Sequence, residues 1–388
     1  ALYAKEDPRL RNKTGEGVDI PFLVLLLLLL GVGLAMLYSA SYAQSEFDTG
    51  YEISTKYLQK QGLCAGIGLL CMWAFSRIPA KLWLKLAWPV YALSIVLLLC
   101  VLLLGESVNG ARRWINIAGI QFQPSEIAKF AMILLFARLT KLFGQNARDF
   151  RHGVLGFGMA LLGILIPLAL EKHLSAIMLI GMVGVTMIFV AGTSPKWLGA
   201  GAAAAAAFVV IYITFMGYAG DRVTAWLHPE NDPGDTGYQI LQSLYAIGSG
   251  GLFGKGLGNS IQKLGKIPEP YNDFIFSIVC EELGVMGASL LLLMFIYLLY
   301  RIYSVAQKAE DLFGRMLATG VFSHIALQVV MNIAVVTGAL PNTGVTLPFI
   351  SYGGTATIFL LIEIGMVLNV QKWSERKREE DIRLEQFR

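Results

Sequence analysis

The stretch Ile20–Leu37 reads IPFLVLLLLLLGVGLAML and contains no charged residue. Its length approaches the roughly 20 residues that an α-helix needs to cross about 30 Å of hydrocarbon. Similar apolar runs recur along the chain, for example VMGASLLLLMFIYLLY at 285–300. In lipid only helices or closed barrels satisfy the backbone, and these runs are too uniformly apolar for the alternating strands of a barrel. The pattern therefore predicts an all-α polytopic membrane protein.

The composition of the whole chain points the same way. Its 388 residues are 55% hydrophobic and 15% charged, with a mean hydropathy of +0.60, whereas soluble domains average about 25% charged residues. The four cysteines form no CxxC pair, and the histidines form no cluster with metal-ligand spacing. We expect no soluble catalytic domain and no nucleic-acid partner, so any chemistry must take place at the membrane.

Apolar windows between charged breaks predict about ten spans. Their approximate limits are 20–42, 57–76, 82–104, 122–142, 152–170, 173–192, 196–217, 272–303, 312–338 and 350–371. Basic residues concentrate in alternate gaps and at both termini, which by the positive-inside rule makes that side cytoplasmic. An even number of spans with both termini inside is consistent with these charges, and an odd number is not.

These limits divide the chain into three parts. Residues 1–19 are predicted to be a cytoplasmic N-terminal segment, 20–371 the transmembrane domain, and 372–388 a basic cytoplasmic tail with affinity for anionic lipid. The only long loop, 218–271, precedes the eighth span on the extracellular side. Its stretch GYQILQSLYAIGSGGLFGKGLG, at 237–258, predicts a short amphipathic helix along the outer membrane surface.

Ionisable residues inside the predicted spans are costly and are therefore functional candidates. Glu126 and Lys129 stand three residues apart at the start of the fourth span, so they share one helical face. They could form a structural salt bridge or a substrate-facing pair, and the sequence favours neither. Glu281 and Glu282 are predicted to lie near mid-membrane, with Lys129 as the nearest basic group in depth. Glu363 in the last span has no obvious partner.

Asp273 opens the eighth span behind two prolines. A carboxylate near a helix N-terminus can serve simply as a cap. However, it lies on the same outer side as the Arg112–Arg113 loop within 105–121 and as the irregular hairpin TGALPNTGVTLPFISYGGT at 337–355. Irregular backbone near membrane depth is tolerated where it is buried or lines a wet cavity. The sequence thus predicts a polar cavity at the outer face that includes Asp273.

Five motifs on this outer side carry a resemblance to a known family. They are VNGARRWI at 108–115, FQPSEIAK at 122–129, the stretch at 237–258, PEPYNDFIFSIVCEELG at 268–284 and LPNTGVTLPFISYGGT at 340–355. In this order they closely resemble the SEDS family (shape, elongation, division, sporulation), whose members include RodA, FtsW and SpoVE. Where the family often has QPDLGT, this chain has EKHLSA at 171–176, and its His-Leu-Ser leans toward the FtsW and SpoVE branch.

The resemblance implies ten transmembrane helices and peptidoglycan glycosyltransferase activity in the bacterial cytoplasmic membrane. The implied substrate is lipid II, an undecaprenyl-pyrophosphoryl disaccharide-pentapeptide, and the implied partner is a class B penicillin-binding protein with transpeptidase activity. Asp273 matches the family's essential aspartate, and we expect it to be the general base that activates a sugar hydroxyl.

The leaving pyrophosphate needs positive charge, from arginine, lysine or a divalent cation such as Mg²⁺ or Mn²⁺. We expect the substrate-binding residues to be Arg112, Glu126, Lys129, Arg222 and Lys263. Two other functions fit a polytopic chain with buried charges: a lipid II flippase, and a non-catalytic scaffold of the cell-wall synthesis complex. A flippase needs polar residues through the full depth of the membrane, whereas the clearest cluster here is at the outer face.

Overall fold

A computed structural model describes residues 19–50, 53–108, 111–117, 120–197, 199–201, 203, 217–229 and 236–386. Helices form most of this part of the chain. They are α1 Ile20–Asp48, α2 Lys56–Phe75, α3 Ala80–Leu104, α4 Pro124–Phe143, α5 Phe157–Leu170, α6 Leu174–Val190, α7 Gly217–Leu227, α8 Thr236–Gly250, α9 Ile275–Lys308, α10 Leu312–Val336 and α11 Gly354–Gln386. A 3₁₀ turn, Gly144–Arg148, and a π-helical turn, Phe150–Gly156, lead from α4 to α5.

The helices confirm a multi-pass membrane protein. Within the described residues, six segments are long and apolar enough to cross a membrane: α1, α3, α5 with its preceding π-helical turn, α9, α10 and α11. Helices α2, α4 and α6 match the predicted spans 57–76, 122–142 and 173–192. The seventh predicted span, 196–217, lies largely outside the described residues, so the count of ten stays a prediction.

Two contacts between α1 and α9 lie about one membrane thickness apart along α1. At one end Asp19 pairs with Arg301, and at the other Ser39 Oγ donates to Glu282 at 2.8 Å. The twenty residues from Ile20 to Ser39 rise about 30 Å in a helix, which is the thickness of the hydrocarbon. Glu282 and its neighbour Glu281 therefore lie near the outer end of this stretch of α1, closer to the outer face than the predicted mid-membrane depth.

A break in α9 explains this displacement. Gly284 has φ +67 and ψ −171, a backbone conformation that only glycine adopts without strain. A Cβ at this position would stand 2.3 Å from the backbone nitrogen of Gly254. The loop after α8 passes here, and Lys255 N–H donates to the carbonyl oxygen of Glu281 at 3.0 Å. The residues before Gly284 thus form a separate short helix, which the outer loop holds.

Helix α4 stands in the middle of the bundle. Nearly all of it is buried, including the charged residues of its first turn. Phe130 lies 6.2 Å, centroid to centroid, from both Trp83 of α3 and Phe359 of α11, and Gly320 of α10 packs against Ile133. Because neighbouring helices surround α4, the ionisable groups of its first turn face protein rather than lipid.

A small sheet replaces the loop expected at 105–121. Its strands are β1 Glu106–Val108, β2 Ala111–Ile117 and β3 Ile120–Phe122, paired antiparallel in the order β1-β2-β3. The predicted helical class is confirmed, and this small sheet is an addition to it. The residues between β1 and β2 are Asn-Gly, the strongest two-residue hairpin signal, so the sheet could have been predicted from the sequence.

The amphipathic helix predicted in the long outer loop is α8. It turns Ile240, Ser243 and Ala246 inward, whereas Leu244 and Tyr245 are exposed. Ser243 Oγ donates to the carbonyl oxygen at the end of α10, Val336 O, at 2.7 Å. The helix is therefore attached to the outer end of α10, next to the hairpin that leads into α11.

Candidate functional site

Asp273 lies in the turn immediately before α9. The N-cap residue of α9 is Phe274, and no side chain caps the helix, so capping is not the role of the Asp273 carboxylate. The two amide hydrogens of Asn332 in α10 fix the turn: Nδ2 donates to the carbonyl oxygens of Asp273 and Val345, each at 2.7 Å. This side chain fastens the Asp273 turn to the hairpin between α10 and α11.

The hairpin forms the wall opposite the Asp273 carboxylate. A Cβ at Gly344, which has φ +71, would stand 3.8 Å from Asp273 Oδ2. Arg222 of α7 donates from Nη1 to the carbonyl oxygen of Asn342 at 2.8 Å, and its charge acts on the Asp273 carboxyl. The structure thus brings Asp273 and Arg222 to the same hairpin.

The environment of Asp273 changes its acidity. Burial raises the pKa of the carboxyl to about 6, while a backbone hydrogen bond and Arg222 lower it and Glu269 raises it. The residue as a whole is partly exposed. A carboxylate whose pKa lies near the working pH is suited to general base catalysis.

Glu126 and Lys129 form the predicted pair, with Lys129 Nζ 2.8 Å from Glu126 Oε2. Their side chains are only 8% and 7% exposed. Lys129 also acts electrostatically on His173, in the turn between α5 and α6. The pair therefore belongs, together with His173, to a second polar cluster at the outer end of α4, and not to the hairpin around Asp273.

The two arginines of β2 point in opposite directions, because successive side chains of a strand alternate between faces. Arg112, the predicted substrate-binding residue, donates to the carbonyl oxygen of Leu102 at 2.9 Å and is exposed. Arg113 instead donates to the carbonyl oxygen of Lys172 at 2.6 Å. Arg113 is thus the residue that faces the second cluster, although the sequence pattern predicts Arg112, and not Arg113, among the substrate-binding residues.

Lys263 is held inside the protein. Its Nζ lies 2.6 Å from Glu282 and 2.9 Å from Ser39 Oγ, and its side chain is 1% exposed. Glu281 pairs with Lys255 at 2.7 Å. Lys129, predicted to be the nearest basic group in depth, pairs with Glu126 instead, because the outer loop folds back and supplies its own lysines to both glutamates.

Glu363, which had no obvious partner in the sequence, lies 2.8 Å from Nδ1 of His324. The two residues belong to α11 and α10 and are both buried. The sequence indicates that Glu363 has a polar partner, because an ionisable group within a span needs one. The spacing along the chain does not identify which residue that partner is. Among the described residues, no three His, Cys, Asp or Glu side chains are arranged to hold a metal ion.

Comparisons with known proteins agree with the fold. The FtsW/RodA/SpoVE family model, described as "Cell cycle protein", matches residues 20–376. Stage V sporulation protein E of Bacillus subtilis is 39% identical over 360 residues, covering 92% of this chain and 97% of that protein. The probable peptidoglycan glycosyltransferase FtsW of Geobacter metallireducens is 37% identical over 367 residues, covering 93% and 96%.

Solved structures share the whole architecture. A chain from a peptidoglycan synthase complex, solved to explain how polymerization and crosslinking are coordinated, superposes with a TM-score of 0.78 and 28% identity, covering 93% of this chain and 99% of that chain. The rod shape determining protein RodA of Thermus thermophilus gives a TM-score of 0.68 and 27% identity, covering 92% and 97%. The higher identities to the sporulation and division proteins agree with the branch that the His-Leu-Ser stretch predicts.

Proposed function

This chain belongs to the FtsW/RodA/SpoVE family of cell cycle proteins, and we propose that it is a peptidoglycan glycosyltransferase. It polymerises lipid II into glycan strands at the outer face of the bacterial cytoplasmic membrane. The observation that supports this proposal most is the position of Asp273, in the turn before α9 and against the Gly344 hairpin to which Arg222 also donates.

In this mechanism Asp273 accepts the proton of the 4-hydroxyl of one lipid-linked sugar. The oxygen attacks C1 of the second sugar while the bond from C1 to the pyrophosphate oxygen breaks, and the electron pair leaves with the lipid pyrophosphate. One direct displacement inverts the configuration at C1. The protonated carboxyl then returns its proton to water.

Positive charge stabilises the leaving pyrophosphate. We assign this role to Arg222, which shares the hairpin with Asp273, and to Lys129, which Glu126 orients. Arg112 is exposed on the other face of β2, where it meets only headgroups that approach from outside. We assign Lys263 to holding the outer loop, because its ammonium group is already bound to Glu282 and Ser39.

Lipid II flipping is a second candidate, favoured by the buried pairs Glu126–Lys129 and His324–Glu363. One experiment separates the candidates: purified protein in liposomes with labelled lipid II, scored for glycan ladders and for transbilayer movement. We expect ladders from the wild type and none from Asp273→Asn. Full-rate translocation by both proteins, with no ladder from either, would instead favour the flippase.

The transpeptidase partner follows from the chemistry of the product. Cross-linking of glycan strands requires a transpeptidase, and a class B penicillin-binding protein is the partner that we propose. The exposed face of α8, with Leu244 and Tyr245, is the proposed contact surface together with α10 and α11.

We expect the two proteins to co-purify and the partner to stimulate polymerisation. The double substitution Leu244→Lys with Tyr245→Lys should weaken both the co-purification and the stimulation. Full activity alone, without co-purification, would contradict this.

The pKa of Asp273 predicts a pH profile. The base acts only when ionised, so the rate should fall with decreasing pH through about pH 6, the pKa of its carboxyl. Glu269→Gln removes a negative charge that raises this pKa and should move the acid limb to lower pH. The measurement is kcat/KM for lipid II from about pH 5 to pH 8 for both proteins. If the acid limb of the Glu269→Gln profile lies at the same pH as that of the wild type, Asp273 is not the group that produces the limb.

A further inference from the structure

The turn between α5 and α6 directs two polar side chains into the protein. Glu171 is 2% exposed and His173 is 6% exposed, whereas Lys172 between them is exposed. Lys172 has φ +56, a left-handed conformation that is strained for a residue with a Cβ and that is concentrated at functional sites. The unusual backbone of this turn is what lets both neighbours face inward.

These two side chains carry polar atoms that nothing in the described part of the chain satisfies. Both carboxyl oxygens of Glu171 and Nδ1 of His173 are buried without a hydrogen-bond partner. The nearest approach between them, from Nδ1 to Oε2, is 3.9 Å, too long for a hydrogen bond. Buried polar groups in native proteins are almost always hydrogen-bonded, and exceptions require an explanation.

The hydrogen bonding of the other ring nitrogen of His173 determines which donor and acceptor groups the site presents to a ligand. Nε2 lies 3.4 Å from the side-chain amide nitrogen of Gln123. With that amide donating, Nε2 is the acceptor and the imidazole hydrogen is on Nδ1, the atom that faces Glu171. The site therefore presents an N–H donor on one side and a carboxyl group on the other.

Two cations face this site, Arg113 from β2 and Lys129 from α4. Burial raises the pKa of the Glu171 carboxyl to about 8, although Arg113 opposes this change. Burial, Arg113 and Lys129 hold the pKa of His173 well below its usual value. Near neutral pH both groups are thus mainly uncharged, and together they offer neutral donors and acceptors.

We propose that Glu171 and His173 form a hydrogen-bonding subsite for the neutral polar groups of a saccharide, its hydroxyl or acetamido groups. This inference rests on the proposed function and assigns the site to the sugar portion of the lipid-linked substrate. Sugar hydroxyl and amide groups both donate and accept, which matches the uncharged groups here. A pyrophosphate offers only acceptors and is better matched by the neighbouring Arg113 and Lys129.

The first experiment measures substrate binding without turnover, in the Asp273→Asn protein. The probes are lipid II and undecaprenyl pyrophosphate, which carries no sugar. Glu171→Leu should weaken the binding of lipid II about tenfold, the effect of one lost hydrogen bond in a buried site, and leave undecaprenyl pyrophosphate unchanged. Glu171→Gln keeps neutral donors and acceptors, so its affinity for lipid II should fall much less.

The second experiment measures polymerisation with Asp273 intact. Glu171→Leu should raise KM for lipid II about tenfold and leave kcat within a small factor. Lys172→Gly is the matched control, because it keeps the backbone of the turn and removes only an exposed side chain, so its KM should be unchanged. The melting temperature of each variant shows whether it is folded.

The outcomes separate the inference from the proposed function. Two results would overturn the subsite: an equal loss of affinity for lipid II and for undecaprenyl pyrophosphate, or a lowered melting temperature with unchanged binding of lipid II. Either result would show that Glu171 and His173 line a water-filled structural pocket only. Absence of glycan ladders from the wild type would overturn the proposed function. The binding experiment would still decide whether Glu171 contacts the sugar.

Discussion

Asp273→Asn is expected to abolish glycan polymerisation, with a loss of at least about 10²–10⁴-fold. The amide has nearly the same volume as the carboxylate but cannot accept the proton of the attacking hydroxyl. Folding should survive, since the side chain does not cap α9 and the turn is held through its backbone carbonyl by Asn332. The measurement is the formation of glycan ladders from labelled lipid II, together with the melting temperature of the same preparation.

A neighbouring carboxylate provides the control for this prediction. Glu269 is exposed and lies in the same loop, where it accepts from Asn272 at 2.7 Å. Glu269→Gln removes one negative charge near the site and should retain most activity at neutral pH. Near-normal ladders from Asp273→Asn or Asp273→Ala would remove Asp273 from the role of general base.

Lys129→Met is expected to produce the second large effect, a loss of activity of about 10²-fold or more. The substitution removes the positive charge at similar volume, so the packing of α4 should survive. Glu126 is left buried without its cation, and it should become protonated because a bare buried carboxylate is costly. Activity should therefore fall much more than stability.

A purely structural salt bridge predicts the opposite order. Breaking a buried ion pair costs about 3–5 kcal/mol when the remaining charge cannot be neutralised, and the melting temperature would then fall first. Measuring melting temperature and polymerisation on one preparation distinguishes the two cases. If Lys129→Met melts much earlier but keeps its turnover per folded molecule, the pair is structural and the pyrophosphate charge must come from elsewhere, with Arg222 the next residue to test.

Much of the candidate site was accessible from local sequence patterns. Asp273 stood out because it follows two prolines and opens an apolar run, and Glu126 with Lys129 because three residues of helix bring them to one face. Arg222 was identified only as one of several cations in a long loop. Its place beside Asp273 depends on Asn342, 120 positions later in the chain.

The sequence by itself determined the helical membrane architecture and predicted an outer-face position for Asp273. Those features depend on apolar runs of about 20 residues and on charge asymmetry, which act locally. Only the tertiary structure decided that Lys263 pairs with Glu282 and His324 with Glu363. Burial makes a partner for each charge obligatory, but which partner is near depends on how distant segments pack, and no spacing along the chain records that.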